Sequence, residues 1–93
     1  MKVTMTVALT QPGRHVGEVH KEVDLPFAPN IGMEIWCAAW GSNKKVENVT
    51  LIFDPDYEVE SLYLNMGRNE TKNEEELRQL IKIYKADGWT LGE

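Results

Sequence analysis

The feature that most restricts this chain is a pair of alternating runs close to its start. Val3, Met5, Val7 and Leu9 alternate with Lys2, Thr4, Thr6, Ala8 and Thr10, the period of two expected of a strand with one buried face. Gln11-Pro12-Gly13-Arg14 comes next. Proline presets φ and glycine accepts positive φ, so the segment reads as a turn. A second alternating run then sets Val19, Lys21, Val23 and Leu25 on one face. Together they predict a hairpin with strands over residues 2–10 and 18–25.

Beyond the hairpin the pattern becomes less regular. Leu25–Gly32 contains Pro26 and Pro29, which cannot donate to a ladder, so it reads as a connector with Phe27 and Ile31 plugging one end of the core. Met33–Trp40 is apolar except for Glu34. Its length and the flanking Gly32 and Gly41 favour a strand, over 33–40, covered on both faces. Lys45–Asp54 has Val49, Leu51 and Phe53 in phase and Val46 out of it, which predicts a strand over 45–54 with a bulge near Glu47-Asn48. Asp54-Pro55-Asp56 reads as a turn. A fifth strand follows over 57–66, with Tyr57 and Val59 on one face and Leu62, Leu64 and Met66 on the other.

The last element has the clearest boundaries. Asn73 is a good N-cap, Glu76 stands three residues later as in a capping box, and Glu74–Glu76 complement the positive end of a helix dipole. Leu77, Leu80, Ile81 and Tyr84 recur at helical spacing, with Ile83 widening the stripe, and Gly88 is placed for a left-handed C′ residue. A helix over 74–87 is expected, closed by Trp89 packing back on Tyr84.

Composition bounds the function. Ninety-three residues make one domain, and 42% hydrophobic with 27% charged residues is ordinary globular usage. A single cysteine, Cys37, excludes an intramolecular disulfide and the paired-cysteine zinc patterns. The N-terminal alternation differs from the apolar block of a signal peptide, and no apolar run reaches membrane-spanning length, so cytoplasmic residence is expected. The net charge is −5, and residues 54–76 hold eight acids against two bases. Bases never cluster beyond Lys44-Lys45, so the electrostatic footprint of nucleic-acid binding is missing. The same balance disfavours anionic membrane surfaces.

Chemistry-bearing residues are few. Glu18, His20 and Glu22 share the polar face of the second strand and read as surface charges. Cys37 lies between apolar neighbours without a base nearby, the setting of an inert thiol. Asp54, Asp56, Glu58 and Glu60 recur every second residue, yet an EF-hand loop needs Gly and Glu where Val59 and Asn65 stand. On a strand the same spacing makes a solvated acidic stripe. Trp36 and Trp40, four apart on one expected strand, would share a face as core or as an aromatic platform.

The expected fold is α+β: a bent antiparallel five-stranded sheet or partly closed small barrel, analogous to SH3-like barrels, with one C-terminal helix packed on it. The expected function is non-enzymatic, with no cofactor and no metal. It is that of a protein-interaction module with an acidic surface, inhibitor-like or immunity-like, that binds a protein partner or self-associates as a homodimer. Its contact residues would be Trp36, Trp40, Asp56, Glu58 and Glu60. The alternative is a small barrel that stacks single-stranded nucleic acid on Trp36, Trp40 and Tyr63.

Overall fold

The computed structural model describes residues 2–54 and 59–92. The first hairpin is as its alternation requires: β1 (Lys2–Gln11) and β2 (Arg14–Asp24) pair antiparallel through Pro12-Gly13, with Gly13 at φ 76°. Val3, Met5, Val7, Leu9 and Val19 point to one face and are all buried. Each such side chain contributes on the order of 1.5–3 kcal/mol of burial free energy. β2 starts earlier than expected, because Val16 is accommodated by a register shift opposite Leu9/Thr10.

Two further strands, β3 (Glu34–Cys37) and β4 (Ser42–Lys45), form a separate hairpin. The expected strand over 33–40 is therefore half that length. Trp40 N–H and Gly41 N–H both donate to the Cys37 carbonyl, at 3.0 Å each, and Gly41 takes φ 63°. This turn ends β3 after four residues. The strand expected over 45–54 is likewise divided: β5 spans Asn48–Asp54. Val46 leaves the phase of β5 to plug the core between β4 and β5, and at Glu47-Asn48, where a bulge is expected, the Glu47 N–H donates to the carbonyl of Asn65, the residue paired with Asn48, at 2.8 Å. Val46 is 1% exposed, its N–H donates to Met33 O and its carbonyl accepts from Gly32 N, both at 2.8 Å.

β6 (Val59–Glu70) is longer than the fifth strand expected; of the turn expected at Asp54-Pro55-Asp56 only Asp54, the last residue of β5, is described, and residues 55–58 lie outside the described residues. It runs past Met66 through Gly67, where φ is 89° and the register against β1 shifts. The helix α1 (Glu74–Ala86) follows, and β7 (Thr90–Gly92) adds a last strand that the sequence pattern did not announce. The N-cap is Asn73 as expected, although Glu76 reaches one residue further back than a capping box, its carboxylate accepting from Lys72 N at 3.3 Å. Asn73 Oδ1 accepts from Glu76 N at 2.9 Å. At the other end Trp89 N–H donates to Tyr84 O and Gly88 N–H to Lys85 O, the two bonds of a Schellman ending, with Gly88 at φ 86°.

The fold is α+β, with a five-stranded sheet and one C-terminal helix as expected. The sheet is open and its order is β5-β6-β1-β2-β7. It is mixed where an antiparallel sheet in sequence order was anticipated: β1 and β6 pair parallel, and the other pairings are antiparallel. Two antiparallel hairpins, β1–β2 and β5–β6, abut side by side. The helix then carries the chain over β1 and β2, the long connection that a return in the same direction needs. Helix and β3–β4 hairpin together cover one face. Tyr84, Trp89, Cys37 and Val46 meet the sheet's Met5, Leu64 and Met66 in one core. Phe27 and Ile31 do not plug that core; both are more than half exposed. Their connector is held by Gly32 and Met33 instead, through the backbone bonds to Val46.

Candidate functional site

The register sorts the sheet into two unlike faces. On the uncovered face, Asn48, Asn65, Thr6, His20 and Thr90 align across all five strands, and Thr50, Tyr63, Thr4 and Glu22 form the adjoining row. A cavity of about 660 Å³ lies on this face, lined by Thr4, Thr6, Glu18, His20 and Tyr63 among others. Its lining is hydroxyl-rich. Glu18, His20 and Glu22 all border it, yet among the described residues no three His, Cys, Asp or Glu side chains come close enough together to hold a metal ion.

On the covered face, a polar cluster ties the hairpin to the end of α1. Cys37 Sγ donates to Asp87 Oδ2 at 3.0 Å, Trp89 Nε1 donates to the same oxygen at 3.2 Å, and Lys21 Nζ donates to Asp87 O at 2.7 Å. Burial, and then the Asp87 carboxylate, push the Cys37 thiol above 9.0. The thiol is thus a structural donor held in its protonated, unreactive form. Close by, Tyr84 OH accepts from Trp40 Nε1 at 2.9 Å and donates to Asn69 Oδ1.

The two tryptophans expected on one face separate here. Trp40 turns inward, its ring 5.7 Å from that of Trp89, while Trp36 is 64% exposed on β3. Tyr63 lies on the opposite face of the sheet, beside Thr4. Trp36, Trp40 and Tyr63 therefore form no common stacking surface. Of the acidic stripe, Asp56 and Glu58 lie outside the described residues, and Glu60 is placed only as a β6 residue opposite Phe53.

A surface that sequence reasoning missed is the edge formed by β5. Among the described residues this strand is paired on one side only, with β6, in an unbroken register from Asn48↔Asn65 to Asp54↔Val59. Alternate N–H and C=O groups consequently point away from the sheet. Leu51, Ile52 and Phe53 are 62%, 50% and 57% exposed. Asn48–Phe53 contains no charge and no proline, so the usual devices that blunt an edge are missing from it. Val49, Leu51 and Phe53 face the helix side, with Ile52 on the other. The available signal was Ile52: an apolar residue in the phase opposite to Leu51 and Phe53 makes the run continuous.

Comparison of the chain with models of protein families, with curated proteins and with solved structures finds no match. Among the described residues no helix is long and apolar enough to cross a membrane.

Proposed function

We propose that this chain is a non-enzymatic protein-interaction module that takes up an extended segment of a protein partner along β5. The observation that carries this reading is the run Leu51-Ile52-Phe53, each residue half exposed or more, on a sheet edge paired on one side. An added strand satisfies the outward backbone groups, and its alternate side chains cover the apolar ones. The acid-rich stretch 54–76 begins where β5 ends. It favours a segment with basic residues at that end, in the manner of an inhibitor masking a basic surface, and adds on-rate and orientation more than affinity. Such a module works in the cytoplasm without a cofactor.

The test is binding of labelled heptapeptides of alternating apolar and polar residues, followed by fluorescence anisotropy and by hydrogen exchange of the complex. Slowed exchange at β5, and loss of binding in Leu51→Lys, are the expected results. Binding that leaves β5 exchange unchanged, or that survives Leu51→Lys, refutes the edge as the docking site. A contribution from the acidic stretch appears as weaker binding of a basic peptide when salt is raised.

A further inference from the structure

We infer that the segment taken up by β5 is β5 of a second copy of this chain, paired antiparallel about a two-fold axis at Leu51. The inference rests on the reading of β5 as a docking edge and adds to it the identity of the occupant. Its basis is self-complementarity. With Leu51 opposite Leu51 of the second copy, Val49 stands opposite Phe53, Thr50 opposite Ile52 and Asn48 opposite Asp54, so all seven residues of Asn48–Asp54 are used. Every exposed apolar residue of the strand then meets an apolar or β-branched residue, and no like charges are opposed.

Other registers are worse. A slip of one residue opposes side chains on unlike faces, setting the helix-covered side of one sheet beside the open side of the other. A two-fold axis at Thr50 brings Glu47 opposite Phe53, and one at Ile52 leaves Asn48 and Val49 beyond the end of the second copy's β5. Only the axis at Leu51 keeps both helices on the same side and the whole strand in the ladder. The charges agree with it. Lys45, exposed and next to Lys44 in the chain's one pair of adjacent bases, lies three residues before Asn48, at the end where Asp54 of the second copy arrives. The Glu47 carboxylate meanwhile lies over Gly67 of β6, on the side away from the open edge. The product is one continuous sheet of ten strands.

Light scattering after size exclusion tests this directly. The mass is expected to double as concentration rises, Leu51→Lys to remain a monomer, and Ile31→Lys, on the exposed connector, to dimerise as the unaltered chain does. Register is read by disulfide trapping in a Cys37→Ser background. Side chains directly opposed across an antiparallel pair have Cβ atoms about 4.5–5.5 Å apart, so Leu51→Cys is expected to cross-link to itself on mild oxidation and Phe53→Cys is not.

A dimer that persists in Leu51→Lys, or one that cross-links through position 53 and not 51, overturns the inference. A chain that is monomeric at every concentration overturns it too, and the peptide experiment then separates the two levels. Uptake of an extended peptide with slowed β5 exchange keeps the docking edge and removes the second copy as its occupant, whereas no uptake removes both.

Discussion

Cys37 and Asp87 meet at 3.0 Å, thiol to carboxylate, across 50 residues of chain, and this contact fastens the β3–β4 hairpin to the end of the helix. It ties stability to pH at both ends of the scale. The Cys37 hydrogen bond, assisted by the Trp89 N–H and the Lys21 charge, holds the Asp87 carboxyl below 3.8 against the opposing effect of burial. Because the folded value is depressed, this stabilisation is complete above the ordinary carboxylate range and is lost as pH falls through the folded value. Urea midpoints are expected to drop on acidification, and Asp87→Asn to flatten that limb. An unchanged acid limb in Asp87→Asn would sink this account.

Tyr84 governs the alkaline side. Its hydroxyl is the junction between Trp40 on the hairpin turn and Asn69 on β6, and burial pushes it from 10.0 up to about 12, against the lowering effect of the Trp40 hydrogen bond. A raised folded value means stability that is complete below pH 10.0 and declines as pH rises toward about 12. Tyr84→Phe is expected to cost about 2–3 kcal/mol at neutral pH, since it removes two hydrogen bonds and leaves both partners unsatisfied. The same variant loses less stability than the unaltered protein between neutral pH and pH 12, leaving the alkaline decline that Cys37 contributes with the same sign. Denaturant titrations at neutral pH and near pH 11 measure both effects.

Gly67 separates backbone strain from crowding. Its φ of 89° is disfavoured for any L side chain, and a Cβ there would also collide with Glu47 Oε2. The carboxylate is the mobile end of a flexible side chain and can move aside; the backbone, which carries the register shift between β1 and β6, cannot. Gly67→Ala is therefore expected to cost about 1–2 kcal/mol from the left-handed conformation. Adding Glu47→Ala is expected to recover almost none of it. Full recovery in the double variant would show crowding to be the cause.

Legibility in the sequence followed the range of the interactions involved. The helix, its Asn73 cap and its Gly88-Trp89 ending rest on contacts within a few residues, so spacing alone located them. The β1–β2 hairpin was legible for the same reason. Pairings set by distant segments were not: nothing local in Thr90-Leu91-Gly92 marks a strand, because only its ladder to Glu18–His20 makes it one. The parallel contact of β1 with β6 depends on how two hairpins abut, and so does the exposure of β5. Its apolar run has the composition of a buried strand, and edge position is a property of the assembled sheet. Trp36 and Trp40 were separated by the backbone turn at Gly41, which apolar continuity concealed.

That separation yields a contrast between two residues of one type. Trp40 stacks near Trp89, donates its N–H to Tyr84 and carries Lys44 over its ring at 5.8 Å. Trp36 is 64% exposed and borders a groove lined by Val23, Leu25 and Ile35 among others. Trp40→Ala is expected to destabilise by about 3 kcal/mol, the low end of the range for removing a large buried aromatic, because Trp40 is partly buried against the core. Trp36→Ala is expected to stay within about 0.5 kcal/mol, as for a surface substitution. Fluorescence gives the same distinction without a denaturant: iodide reaches Trp36, and the emission that it leaves unquenched comes from Trp40 and Trp89. If Trp36→Ala destabilised as much as Trp40→Ala, the Trp36 ring would be packed and the hairpin would sit differently on the sheet. A small loss for Trp36→Ala together with a large one for Trp40→Ala fixes Trp40 as the hairpin's anchor, and leaves Trp36 free of any structural duty.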